Sequence, residues 1–504
     1  MALSHTRFTL LFTSALFVVC NALNVGRLAQ WFRDGDNLDF LALAAFLVAG
    51  LCLSIAVITL VAHRWTLKPF AILLAILCAA ATYFISKYGV AIDSSMMRNA
   101  LHTDPSEVGQ LMSWQMVPYV LFLLALPVFL IVRTRITFEP SGRYLLGSLK
   151  LFALTLCIAL ASLYSQYNAI LRAGNVSNKY IVYSLVPLNV ISGSINAAAK
   201  ELRPLFRKDE KDVEISARVT RPGDLVVVLA VGESSRRANF SVYGYQRVDT
   251  NPVLRQIEGL HFLDGIATRA STLYALPKIL AKDDVKLTTL VSRAGVPTTC
   301  LVNYTLYDNC AAIGETKVSG CGHDGKCYDE DVIPLLQKNL ATYQSGYRFV
   351  VLHFGGGSHG PVYGDRHPPE FRRFAPMCED ADVAGKCSQE QLYNSYDNSI
   401  LYVDHVLGET ITTLDRAAIP YVFIYLSDHG ESLGEEGRLF HGVPPGMKLP
   451  AEQAQIPLIV KASMPITIVP RAEYAQGDVF DTVLGLFSIQ AEKFDRAGDF
   501  IRRD

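Results

Sequence analysis

Residues Leu225–Ser235 read LVVVLAVGESS: seven apolar residues, four of them valine, running straight into Gly-Glu-Ser-Ser. Two later stretches repeat the pattern. Arg348–His353 (RFVVLH) runs into the glycine-rich Gly355–Gly360 (GGGSHG), and Tyr421–Leu426 (YVFIYL) runs into Ser427–Glu431 (SDHGE). Continuous apolar runs of strand length, rich in β-branched and aromatic residues, predict strands buried on both faces of a mostly parallel sheet. Ligands in open α/β sheets bind beyond the carboxyl ends of the strands. The ends of these three runs carry Glu233, His359, Asp428 and His429, and His441 lies one short loop further on. Each has an ordinary explanation alone: Glu233 as a helix cap, His359 as a loop histidine, Asp428-His429 as the start of a turn. Together they form a set of oxygen and nitrogen donors that suits zinc, with manganese and magnesium as alternatives.

A metal in that crevice needs a nucleophile. Arg269–Lys278 (RASTLYALPK) offers Ser271 and Thr272 just before an apolar run of helical character. Free amides and the dipole at a helix N-terminus favour an anionic oxygen, and a nearby metal lowers the pKa of a hydroxyl. The competing reading is a plain N-cap. Gly355–Gly357 has no dinucleotide or phosphate-loop setting and is expected to give a tight turn beside the metal.

The first third of the chain differs. Of the 504 residues, 50% are hydrophobic and 18% charged, and the mean hydropathy of +0.25 points to a membrane. Apolar runs at Phe8–Gly26, Phe40–Ala62, Pro69–Ile85, Met112–Val132 and Leu151–Leu171 predict about five spanning helices. Arg64 and Lys68 follow the second run, and Arg133, Arg135, Arg143 and Lys150 follow the fourth; basic loops stay in the cytoplasm. The alternate loops mix signs, with Arg27 and Arg33 near Asp34, Asp36 and Asp39, then Lys87 and Arg98 near Asp93, Asp104 and Glu107. Those loops, and everything after Leu171, are therefore expected outside. The net charge of -1 excludes a basic nucleic-acid binder, so no nucleic-acid partner is expected. The chain divides into a transmembrane part at 1–171, a juxtamembrane linker at 172–221 and a soluble domain at 222–504.

The cysteines agree with this topology. Cys20, Cys52, Cys78 and Cys157 fall within apolar spans and read as small core residues. Cys300, Cys310, Cys321, Cys327, Cys378 and Cys387 all fall in the polar C-terminal half, as disulfides in an oxidising space would. About 15 pairings are open, of which pairing between neighbours is the expectation. The spacings lack the C-x2-C doublets of structural zinc sites.

Five groups of residues, in order, carry a resemblance: VGESSR at Val231–Arg236 with NFSVYGY at Asn239–Tyr245; SHGP at Ser358–Pro361 with Pro368-Pro369 and FAP at Phe374–Pro376; YDNSILYVD at Tyr396–Asp404; SDHGES at Ser427–Ser432; and His441-Gly442. The chain resembles the bacterial inner-membrane phosphoethanolamine transferases, which include lipid A modifying and colistin-resistance enzymes. In the membrane half, YGVAID at Tyr88–Asp93 followed by Asn99, Thr103 and Glu107 looks like the family's approach for the phospholipid head group, and the stretch with Arg172, Pro187 and Asn189 looks like its linker along the membrane. Helical spacing would set Asn99, Thr103 and Glu107 on one face, with Pro105 interrupting it.

The resemblance implies a multi-pass inner-membrane protein with a periplasmic alkaline-phosphatase/sulfatase-like domain, expected to act as a monomer. It would take phosphoethanolamine from phosphatidylethanolamine and pass it to lipid A or another lipopolysaccharide sugar. Carried over by residue, Glu233, Asp428 and His429 would hold zinc together with the nucleophile oxygen of Thr272, and His359 and His441 would bind phosphate or a second zinc. The chain departs from the lipid A branch around Thr272: the flanking cysteines are missing, Thr272 lies five residues before Pro277, and Lys278 stands where the second cysteine would be. That favours Thr272 over Ser271 and shifts weight away from lipid A. A lysine used near the substrate in some members has no counterpart in Asn303–Cys310. The rivals on this fold are a metal-dependent phosphodiesterase or other hydrolase and a phosphoglycerol transferase; the C/S-x-P-x-R segment of type I sulfatases is absent. A silent scaffold would have no chemical reason to keep every ligand type.

Overall fold

A computed structural model describes residues 2–34, 37–102, 114–177, 180–206, 216–319, 326–380, 382–444 and 447–503. Among the described residues the chain forms two units, the first built on residues 2–206 and the second on residues 216–443 and 449–503.

The first unit is helical. Helix α1 (His5–Ala22) bends by 72° into α2 (Val25–Trp31), so the run expected as one helix from Phe8 to Gly26 is broken. The cause is asparagine: the Asn21 side chain donates to the carbonyls of Phe17 and Val186, and that of Asn24 to Cys20, diverting backbone acceptors from the helical ladder. Helix α3 (Phe40–Val61) is capped by Asp39, whose Oδ1 accepts from the Ala42 amide at 3.0 Å. Helix α4 (Leu67–Tyr88) ends at Gly89, which takes the left-handed φ of 68° that suits glycine at a helix C-terminus. Helix α5 (Ser94–His102) is capped by Asp93, whose Oδ1 accepts from the Ser95 and Met96 amides. Then come α6 (Met116–Arg133) and α7 (Ser141–Ser165). The fifth run therefore starts ten residues earlier than the expected Leu151, and its expected end belongs to a separate helix, α8 (Tyr167–Val176). Among the described residues four helices are long and apolar enough to cross a membrane, or five if the bent pair is one span. Cys20, Cys52 and Cys78 are buried as expected, whereas Cys157 is exposed on α7. After α8, helix α9 (Leu188–Phe206) lies within the stretch expected as the linker.

The second unit is built on an eight-stranded sheet. In chain order its strands are β1 (Leu225–Gly232), β2 (His261–Ile266), β3 (Thr298–Val302), β4 (Glu315–Lys317), β5 (Tyr347–Phe354), β6 (Tyr421–Ser427), β7 (Gln455–Ala462) and β8 (Tyr474–Ala475). Their spatial order is β4-β3-β5-β1-β6-β7-β2-β8. The three expected strands lie side by side and parallel at its centre; β7 runs antiparallel to both β6 and β2. All eight residues of β1 are buried. Leu225, Val227, Leu229 and Val231 point into one cluster with Leu276, Ile279 and Leu280 of α10 (Thr272–Leu280). At roughly 1.5–3 kcal/mol per buried large aliphatic side chain, this packing holds the carboxyl half of α10 on the sheet.

The long helix α11 (Gln389–Arg416) begins with a capping box between Ser388 and Gln391. Its polar motif residues are structural. Asp397 accepts from Asn239, Tyr245 and Arg247, Asn398 accepts from the amides of Arg373 and Phe374, and Asp404 accepts from the amides of Val253 and Leu254. Disulfides join Cys300 to Cys310 and Cys378 to Cys387. Cys327 is also disulfide-bonded, and Cys321 lies outside the described residues.

Candidate active site

Register brings the ligand candidates together. Gly232 at the end of β1 pairs with Phe354 of β5 on one side and Ser427 of β6 on the other, so the three strands finish level and the next residues share one crevice. There Glu233, Asp428 and His429, all buried, each offer a ligand atom, and these atoms lie within 4.8 Å of one another. Thr272, the first residue of α10, donates its hydroxyl to Glu233 Oε2 at 2.8 Å. Ser271 is the N-cap of that helix but makes no side-chain capping bond, so the ordinary reading of the hydroxyl pair does not describe it.

The surroundings of the three acids and bases fit a cation. Asp428 Oδ1 accepts from the amides of Ser234 and His429 at 3.0 and 2.8 Å. Its Oδ2 is buried with no hydrogen-bond partner. His429 Nδ1 lies 3.0 Å from the Gly430 carbonyl, which fixes the proton on that nitrogen and leaves Nε2 as a lone pair. That lone pair faces Asp428 Oδ2 at 3.2 Å and Glu233 Oε1 at 3.6 Å. Burial, reinforced by the nearby His441, pushes His429 down to about 4, so at neutral pH these contacts are not ion pairs. Two carboxylate oxygens facing a neutral imidazole lone pair need a positive centre between them. Burial also pushes Asp428 up to about 6, against the pull of its amide donors and the nearby His441.

Beside this group lies a second one, His359, Glu431 and His441. The rings of His429 and His441 are 4.4 Å apart, and those of His359 and His441 4.9 Å. His441 Nδ1 is 2.9 Å from Glu431 Oε2, while Glu431 Oε1 accepts from the Tyr363 hydroxyl at 3.1 Å. Burial opposes a charge on His441, but Glu431, with Glu233 and Asp428 behind it, outweighs burial and holds the imidazole up at about 9. Against its own burial Glu431 is pulled below the usual range, chiefly by His441. At neutral pH the crevice therefore contains an imidazolium suited to a phosphoryl oxygen.

Sequence reasoning missed Glu431 and Ser234. Glu431 stands three residues after Asp428 in the same strand-end stretch, which was the available signal. Ser234 adopts a left-handed φ of 56°, uncommon for a residue with a side chain. That conformation lets its amide reach Asp428 while its hydroxyl donates to Glu233 Oε1 at 2.7 Å. The glycine run turns as expected: Gly357 has φ +37°, and a Cβ there would meet Glu233 N at 3.1 Å. Asn99 lies on α5 of the other unit; Thr103 and Glu107 lie outside the described residues.

The chain is similar to known proteins over most of its length. Residues 50–202 match the family described as phosphoethanolamine transferase EptA/EptB, and residues 226–489 match the sulfatase family. Phosphoethanolamine transferase EptA of Escherichia coli (strain K12) is 30% identical over 88% of this chain and 87% of its own length. The chain belongs to the phosphoethanolamine transferase family. Phosphatidylethanolamine transferase Mcr-1 of Escherichia coli is 28% identical, covering 99% of this chain and 98% of its own. The integral membrane protein lipooligosaccharide phosphoethanolamine transferase A of Neisseria meningitidis superposes with a TM-score of 0.86 at 26% identity, covering 99% of this chain and 98% of that one. This chain is thus a membrane-embedded transferase with a sulfatase-like domain.

Proposed function

We propose that this transferase moves phosphoethanolamine from phosphatidylethanolamine to lipid A or another lipopolysaccharide sugar through a phosphothreonine at Thr272. The observation that carries the reading is the Thr272 hydroxyl bonded to Glu233 at the edge of the Glu233–Asp428–His429 group. The names of Mcr-1 and of the Neisseria protein support phosphatidylethanolamine as donor and a lipooligosaccharide-type acceptor, against the weight that the missing cysteines around Thr272 take from lipid A. Residues 1–171 would span the inner membrane, 172–221 would form the linker, and 222–504 would work in the periplasm, in a monomeric enzyme.

Glu233, Asp428, His429 and the Thr272 oxygen would hold zinc. Bound there, zinc would supply the positive field that lowers the pKa of the hydroxyl and offsets charge on the phosphoryl group. The chain's own residues account for the protons. Thr272 Oγ1 attacks phosphorus as its proton passes along the existing bond to Glu233 Oε2. The bond from phosphorus to the diacylglycerol oxygen breaks, and His441 protonates that oxygen. In the second half an acceptor hydroxyl attacks the phosphothreonine and gives its proton to His441, and Thr272 regains its own from Glu233. His359 orients the phosphoryl oxygens. The covalent stage holds the group while the lipids exchange.

The test is intact-mass spectrometry of the detergent-solubilised enzyme after incubation with phosphatidylethanolamine, followed by peptide mapping. An adduct of about +123 Da on Thr272 is expected. Release of diacylglycerol without any adduct, even on rapid quenching, would point to hydrolysis. Absence of both, with an adduct formed from phosphatidylglycerol, would replace the donor.

A further inference from the structure

We propose that Asp329 and Asn303 form a latch that sets the glycine turn between Glu233 and His359, making Asp329 a positioning residue for the transfer reaction. Asp329 is almost fully buried and is a member of neither candidate metal-ligating group. Its Oδ1 accepts from the Gly356 amide at 2.9 Å and its Oδ2 from the Gly357 amide at 2.8 Å. Asn303 completes the grip: its Nδ2 donates to Asp329 Oδ1 at 2.5 Å and its Oδ1 accepts from the Gly355 amide at 2.7 Å. Three consecutive backbone amides are thus held by two side chains from distant parts of the sequence. A carboxylate that accepts two amides and a side-chain amide is strongly directional, because charge-assisted bonds are about twice as strong as neutral ones.

What the latch holds is the site itself. On leaving it, Gly357 packs against the backbone and Cβ of Glu233, and the next amide, Ser358, donates to the Glu233 carbonyl at 3.0 Å. His359 follows one residue later. A Cβ on Gly356 would meet Asp329 Oδ1 at 3.1 Å, so the carboxylate lies directly against this glycine. The turn is therefore clamped between the latch and the strand end that carries Glu233, and the direction of His359 depends on both.

The latch residues are themselves anchored. Asn303 lies within the loop closed by Cys300–Cys310, and Asp329 lies two residues after the disulfide-bonded Cys327. Cross-links on both segments cut the freedom of two side chains that would otherwise sit on loops. This assigns Cys300, Cys310 and Cys327 a role in holding the site, in addition to general stability. Supporting groups of this kind typically change activity about 10–100-fold when removed.

The inference rests on the transferase reading for its kinetic arm only; its structural arm is independent. The variants are Asp329→Asn, which keeps the size but places an NH2 group against an amide donor, and Asn303→Ala, which removes the smaller half of the latch and leaves Asp329 in place. Both are made in the full chain in detergent. Amide hydrogen exchange, followed by peptide mass spectrometry over residues 354–360, should rise in both variants with peptides of β1 and β6 unchanged. With phosphatidylethanolamine as donor, kcat should fall at least about tenfold in Asp329→Asn and less in Asn303→Ala, with KM within about twofold and zinc content unchanged. Unchanged exchange over 354–360, or raised exchange with parental kcat, would overturn the latch. So would a loss confined to KM. If Asp329→Asn fails to fold, Asn303→Ala decides by the same readings. If the parent itself fails to use phosphatidylethanolamine, the transferase reading falls while the exchange measurement still judges the latch.

Discussion

Replacing Asp428 by Asn should make the metal-free protein more stable while removing its response to zinc. In the folded state the Asp428 carboxyl is raised from 3.8 to about 6, first of all by burial. At about 1.4 kcal/mol per pH unit, keeping it ionised at pH 7 costs the metal-free fold about 3 kcal/mol. Because the folded value lies above the unfolded one, this penalty is absent below about pH 4, grows as pH rises through about 6 and is complete at pH 7. Asn carries no charge, its Oδ1 can keep the amides of Ser234 and His429, and its NH2 group would face the His429 Nε2 lone pair across the 3.2 Å now separating that nitrogen from Oδ2. A gain of this size corresponds to an increase in Tm of about 5 °C for a domain of this length. The assay is thermal unfolding of the chelator-treated, full-length protein in detergent, with and without added zinc. The parent should gain about 4 kcal/mol at a thousandfold excess of zinc over Kd, and Asp428→Asn much less. The advantage of the metal-free variant should shrink from pH 7 towards pH 4. A metal-free Asp428→Asn protein that melts below the metal-free parent, or that zinc stabilises as fully, would refute the reasoning.

Thr272→Ala should lower transfer by at least about a thousandfold, while Ser271→Ala keeps most of it; adduct mapping and diacylglycerol release measure both, and the reverse order would move the nucleophile by one residue. Glu431→Gln removes the carboxylate that holds His441 at about 9. A raised imidazole keeps its charge below its folded value, so the alkaline limb of the kcat profile should move down by at least about one pH unit in this variant. Reduction should lower the melting temperature of the second unit, since opening the Cys300–Cys310 cross-link, ten residues apart, costs about 3 kcal/mol in the loop-entropy account; an unchanged melting curve with alkylated thiols would contradict it.

How far the sequence could be read depended on where the determining contacts lie. Strands β1, β5 and β6 were legible because a strand buried on both faces must be apolar throughout, and Glu233, Asp428 and His429 were legible because they interrupt those runs at the point where ligands bind. Strand β2 is only partly buried, with Asp264 exposed, and β7 carries Pro457, so neither shows the same signature. The break between α1 and α2 turns on asparagines inside an otherwise apolar run, where hydropathy gives no warning. Asp329 and Asn303 gave no signal because their partners are backbone amides 27 and 52 residues away, and an amide leaves no trace in residue identity. Ser234 escaped for a related reason: a left-handed backbone angle is what aims its amide at Asp428.

The level finish of β1, β5 and β6 makes this enzyme far more tolerant of lengthened connections than of lengthened strands. Gly232 is paired at once with Phe354 and Ser427, so the sheet acts as a ruler for the crevice. Adding or deleting one residue within β1 would turn Glu233 to the opposite face of the sheet and shift it by a full residue step, and no substitution in the loops could restore it. Insertions at the amino ends of these strands move nothing in the crevice. Length variation among functional versions of this fold should therefore gather at the end of the sheet remote from Thr272.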